Sequence, residues 1–89
     1  MSENNNIEKN FEIGDIVVID SPNCLLDNEY YGLEKEESVV LNKPYKIVDY
    51  DIELGDEYEV LYTLQDIKSG VLCGVMLNDW DIEKTVYNG

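Results

Sequence analysis

Two segments of the chain alternate apolar and polar residues. The first is Tyr45-Lys46-Ile47-Val48-Asp49-Tyr50-Asp51 and the second Tyr58-Glu59-Val60-Leu61-Tyr62-Thr63-Leu64, with Glu53-Leu54-Gly55-Asp56-Glu57 between them. A period of two is the repeat of a strand, because successive side chains point to opposite faces, and a short turn between two such runs makes an antiparallel hairpin. Tyr58, Val60, Tyr62 and Leu64 then share one face. A chain committed to this pairing must find further strands, since an isolated hairpin is marginal in water.

They are present on both sides. Phe11-Glu12-Ile13-Gly14-Asp15 is a turn feeding the β-branched run Ile16-Val17-Val18-Ile19, and Asp20-Ser21-Pro22-Asn23 closes it with residues that each favour turns. Residues 24–42 read as a long loop with a charged tip at Glu34, Glu36 and Glu37, a helical turn around 29–37 weakened by Gly32, and a short strand candidate at Val39-Val40-Leu41. After the hairpin, residues 66–70 form a turn, 71–77 another strand, Asn78-Asp79-Trp80-Asp81 a tight corner, and 82–86 a last short strand. Residues 1–10, with three consecutive Asn, read as a disordered tail, which leaves residues 11–89 as one small all-β domain of about five strands.

The order Phe11-Glu12-Ile13-Gly14-Asp15-Ile16-Val17, a loop, then Leu41-Asn42-Lys43-Pro44-Tyr45-Lys46-Ile47-Val48 resembles small Src-homology-3-like barrels of bacteriophages and bacteria. Those read hydrophobic-x-x-Gly-Asp-x-Val at the first strand and Leu-x-x-x-x-Tyr-x-Val at the second, and the corner at Trp80 and Ile82 is similar to their closing turn. The resemblance covers about residues 11–84. It implies a five-stranded barrel with a long loop after the first strand, and a scaffold rather than an activity. The chain departs from the pattern in its longer, more acidic first loop and in lacking the basic residues of nucleic-acid-binding relatives.

Charge narrows the function. The 89 residues carry 20 Asp plus Glu against 6 basic residues, for a net charge of −14; all six are lysines, and Arg, His and Ala are absent. So acidic a chain repels a polyanion, and without Arg it lacks the planar fork that reads guanine and phosphate, so direct nucleic-acid binding is not expected. Without His, the commonest acid–base and metal-binding side chain is missing, and Ser21 and Cys24 have no imidazole to activate them. Gly70 and Gly74 are too sparse for a phosphate-cradling loop, and no EF-hand fits, because counting from Asp49 puts Leu54 sixth and Val60 twelfth. The expectation is a non-enzymatic protein with no cofactor and no metal.

The chain is also expected to fold and to stay off membranes. Ile, Val, Leu and Phe make up 27 of the 89 residues, enough for a core, and no apolar run approaches the roughly 18 residues of a membrane span. The polar start is unlike a secretion signal, and Cys24 and Cys73 lie outside any C-x-x-C motif, which points to free thiols and a cytoplasmic setting.

What remains is the surface. Asp49, Asp51, Glu53, Asp56, Glu57 and Glu59 crowd the hairpin, and acids two apart on a strand share a face about 6.6 Å apart. A rigid row of negative charge of that kind suits a Lys/Arg-lined nucleic-acid groove on a partner protein, with Tyr30, Tyr31 and Tyr50 as apolar anchors. The function expected is an inhibitor that blocks the basic, nucleic-acid-binding surface of a bacterial defence or nucleic-acid-processing protein. The Asn-, Ile- and Tyr-rich composition, without Ala or Arg, suits an AT-rich genome, either of phages of low-GC bacteria or of those bacteria themselves. Two other readings rest on the same residues: a structural or accessory phage adaptor whose acids only confer solubility, and an aromatic cage at Tyr30, Tyr31 or Tyr50 for cationic peptides.

Overall fold

The computed structural model describes residues 10–55 and 58–86. The tail expected over 1–10 lies outside them apart from Asn10, as do Asp56 and Glu57. Five strands form one antiparallel sheet: β1 (Ile16–Ile19), β2 (Tyr45–Glu53), β3 (Glu59–Asp66), β4 (Leu77–Asn78) and β5 (Ile82–Lys84), in the order β4-β3-β2-β1-β5. The all-β expectation holds. The sheet is open, because β4 and β5 are its two edges and no ladder joins them among the described residues. Among those residues no helix is long and apolar enough to cross a membrane.

The inner face follows from register. Val17 pairs with Tyr45, Ile47 with Leu64, Tyr62 with Leu77 and Ile19 with Ile82, and all eight are buried. Directly opposed residues lie on one face, so each pair adds to a single apolar surface. Among the described residues no second sheet covers it; the loops do, through Phe11, Cys24, Val39 and Cys73. Phe11 meets Tyr62 edge to face, with ring centroids 5.5 Å apart.

β2 breaks the simple alternation. Tyr45 and Ile47 point inward, and strict parity would send Asp49, Asp51 and Glu53 after them. Between Ile47 and Asp49 the register with β3 slips by one: Ile47 faces Leu64 but Asp49 faces Thr63, leaving Val48 as the extra residue of a β-bulge. Beyond it the faces exchange. Tyr50 and Ile52 pack against the core, while Asp49, Asp51 and Glu53 are exposed.

The loop 20–44 is more structured than its sequence suggests. It carries a 3-10 turn (Pro22–Leu25), a one-turn helix α1 (Leu26–Tyr30) and a second 3-10 turn (Lys35–Glu37). The Asn28 side chain fixes it, with Nδ2 donating to the Val39 carbonyl at 3.1 Å and Oδ1 accepting from the Val39 N–H at 2.7 Å. This amide clip uses up the backbone groups of Val39, and the short strand expected at 39–41 is reduced to a single bridge between Leu41 and Ile19.

The strand expected over 71–77 is likewise reduced to a bridge at Leu72 and the two residues of β4. Gly74 explains this. Its N–H donates to the Glu37 carbonyl at 3.0 Å, and a Cβ there would meet the Leu33 side chain at 2.5 Å, so this stretch is held by the loop instead of by β3. The last strand ends at Lys84, two residues short of expectation.

Deleting Val48 removes the bulge and leaves Ile47, Asp49, Tyr50 and Asp51 in plain alternation, with Tyr50 still inward and the two acids still outward. The deletion variant is expected to stay folded and to lose no more than about 2 kcal/mol in urea unfolding, because the inward and outward sets are unchanged and only the packing of Val48 and the local twist are lost. Val48→Ala, which keeps the count, should cost about 1 kcal/mol or less.

Candidate functional site

The outer face of the hairpin is built by the bulge and by β3. Asp49, Asp51 and Glu53 lie along β2, opposite Thr63, Leu61 and Glu59 respectively, so Glu53 and Glu59 are a like-charged pair directly across the ladder. Such pairs are destabilising. Lys43 is paired with Asp66 and Lys84 with Asp15, and among the described residues no lysine lies within salt-bridge distance of Asp49, Asp51, Glu53 or Glu59. Glu59 is half-buried and instead accepts a hydrogen bond from Asn78 Nδ2.

The expected aromatic anchors separate into two groups. Tyr30 and Tyr31 are 81% and 60% exposed at the end of α1 and stack edge to face, centroids 4.8 Å apart. Tyr50 is half-buried and packs against the core, on the face opposite the acid row. Asp56 and Glu57 fall outside the described residues. The structure thus brings Asp49, Asp51, Glu53 and Glu59 together, and leaves the tyrosines apart from them.

A groove at the edge of β3 was not expected. β4 pairs with β3 only at Leu61 and Tyr62, so the β3 edge at Glu59 and Val60 extends past the end of β4. The chain then enters a 3-10 turn (Asp79–Asp81), which stands Trp80 beside that edge. Asn10, Tyr58, Glu59, Val60, Asp79 and Trp80 enclose an opening of about 270 Å³. Trp80, the single tryptophan of the chain, is 70% exposed, and Asn10 Nδ2 donates to Asp79 Oδ2. The available signal was one large aromatic flanked on both sides by Asp in a polar corner. That corner is tied down by the Asp20 N–H, which donates to the Asp81 carbonyl at 3.1 Å.

The remaining titratable cluster is structural in its chemistry. Lys43 Nζ pairs with Asp66 and lies 5.8 Å from the centre of the Tyr45 ring, and the Tyr45 hydroxyl accepts from the Val40 N–H at 3.2 Å. Burial pushes the Cys73 thiol up to about 11 against the opposing pull of its hydrogen bond with Tyr45, and burial followed by the charge of Asp81 pushes Cys24 to about 11. Both thiols stay protonated at neutral pH, so neither is an activated nucleophile. Burial also raises the Tyr45 hydroxyl well above the usual tyrosine range. Among the described residues no three Cys, Asp or Glu side chains converge as a metal site requires.

No family model, no curated protein and no solved structure matches the chain.

Asp66 supplies a test of this cluster. The Lys43 ammonium bonded to its carboxylate, assisted by the N–H groups of Lys68 at 2.8 Å and Ser69, lowers its pKa to about 2 despite burial. A carboxylate depressed on folding stabilises above its unfolded pKa near 3.9, and that contribution is lost as pH falls toward 2. Lys43 is 35% exposed, so solvent screening holds the contribution to about 1 kcal/mol. Asp66→Asn keeps the acceptor but not the charge. The stability difference between wild type and variant should be largest above pH 4 and shrink by about 1 kcal/mol by pH 2, read from urea unfolding at several pH values. A difference constant across that range would mean the ion pair contributes nothing.

Proposed function

We propose that the protein is a non-enzymatic, acidic protein-binding module, most concretely an inhibitor that covers the basic, nucleic-acid-binding surface of a defence or nucleic-acid-processing protein. The observation that carries this reading is the outward row of Asp49, Asp51 and Glu53 with Glu59 opposite, with no lysine within salt-bridge distance among the described residues. A bulge exposes those three acids on a hydrogen-bonded ladder, so their spacing is fixed by backbone rather than by flexible loops. Fixed charges of one sign steer an oppositely charged partner and lose little entropy when it docks.

The scaffold is read as Src-homology-3-like. The long, acidic connection after β1, the strand order β4-β3-β2-β1-β5 and the 3-10 corner before β5 support that reading. On such a frame the acid row belongs to the solvent face of the central hairpin, opposite the core.

Capture from bacterial lysate on the immobilised protein tests the proposal. One basic partner should be retained at about 50 mM salt and released at about 500 mM, where the Debye length has shrunk to a few ångströms. Asp49→Lys combined with Asp51→Lys should slow association with that partner by at least about tenfold and change dissociation less. Retention that ignores salt, or that survives the charge reversals unchanged, refutes the electrostatic mechanism and favours an adaptor whose acids only confer solubility.

A further inference from the structure

The groove at Trp80 lies next to the acid row but is built for a different task. Its volume of about 270 Å³ is below the roughly 300–1,000 Å³ of small-molecule sites, which is the scale of a single side chain. One wall is the indole of Trp80, whose exposure at 70% is unusual for the residue with the largest apolar surface. The ring of Tyr58 contributes a second aromatic lining, and Glu59 and Asp79 contribute two carboxylates. Aromatic faces and carboxylates share one preference, for a cation.

Both carboxylates are already oriented by planar N–H donors. Asn78 Nδ2 holds Glu59 Oε2 and Asn10 Nδ2 holds Asp79 Oδ2, and the second oxygen of each acid accepts no hydrogen bond among the described residues. Beside Asn10 and Phe11 the Tyr62 hydroxyl is buried without a hydrogen-bond partner among the described residues. Burial, and to a lesser degree the charge of Asp79, opposes its ionisation. Neither Glu59 nor Asp79 has a lysine within salt-bridge distance among the described residues, so the region carries uncompensated negative charge beside an exposed indole.

We propose that the groove lined by Tyr58, Glu59, Asp79 and Trp80 takes the guanidinium of an arginine side chain from the protein partner. The plane stacks on the Trp80 indole while its N–H groups reach the open oxygens of Glu59 and Asp79. A guanidinium fits better than an ammonium because it is planar, weakly hydrated and presents several donors in a fixed fork. The inference deepens the acidic-module reading and rests on it for the partner's charge, while the site has its own geometry.

Titration with acetyl-Gly-Arg-Gly-amide tests it, since fluorescence of the single tryptophan reports the groove and amide chemical shifts report its walls. A saturable change centred on residues 58–60 and 79–80 is expected, at least about threefold tighter than with acetyl-Gly-Lys-Gly-amide. Glu59→Gln and Asp79→Asn should each weaken binding by about fivefold or more, and Trp80→Ala should remove the shifts at Glu59. Glu36→Gln, on the exposed tip of the loop 20–44, should leave the tripeptide affinity unchanged. A response that does not saturate, that acetyl-Gly-Gly-Gly-amide reproduces, or that acetyl-Gly-Lys-Gly-amide equals or exceeds would overturn the assignment. The two proposals fail separately: salt-sensitive capture that persists undiminished in Trp80→Ala sinks the groove alone, and tripeptide binding without any captured basic partner sinks the module reading alone.

Discussion

A strand has two faces, and β2 must place Tyr45, Ile47, Tyr50 and Ile52 on one of them. Their spacing does not allow it, because Ile47 and Tyr50 are three apart and differ in parity. The bulge at Val48 resolves the conflict by adding one residue to β2 against β3. Both the core and the charged face depend on that extra residue being taken up by the bulge and not by a shift of parity. On one side it brings Tyr50 over Tyr62 and Ile52 over Val60; on the other it aligns Asp49, Asp51 and Glu53 outward. The apolar inner face and the acidic outer one are therefore set by the same backbone irregularity.

With one sheet and no partner layer among the described residues, the inner face is covered by connections. That assigns the loop 20–44 a load usually carried by a helix or a second sheet. The Asn28 clip on Val39, the Tyr45 hydroxyl under Val40 and the Gly74 N–H on the Glu37 carbonyl tie the loop to β2 and to the segment before β4. In a chain this short each such tie matters, because the core is small and net stability is the difference of large terms. The charged tip is accordingly anchored at Glu37, which is half-buried, while Glu34 and Glu36 remain exposed.

Legibility in the sequence followed the range of the interactions. β1 and β3 were readable because β-branched content and alternation are local properties, and β3 carries both without interruption. In β2 the adjacent apolar pair Ile47 and Val48 marked a parity change, but only pairing with β3 makes it a bulge. α1 has five residues, too few to persist by propensity, and exists because Asn28 reaches Val39 eleven residues on. The acid row was visible as a cluster, whereas the groove was not, since its walls come from Asn10, residues 58–60 and residues 79–80, which no spacing rule connects.

The acid row and the groove act over different distances, which gives the proposed complex a division of labour. Exposed charges several ångströms apart interact with a partner out to about a Debye length, roughly 10 Å at 0.1 M salt, so they govern encounter. A guanidinium enclosed by Trp80, Glu59 and Asp79 would feel short-range dispersion and charge-assisted hydrogen bonds, which govern residence. Glu59 belongs to both, facing Glu53 across the ladder and lining the groove. A cation seated there would relieve the repulsion that the free fold tolerates between Glu53 and Glu59, so that part of the affinity would come from strain already present in the unbound hairpin.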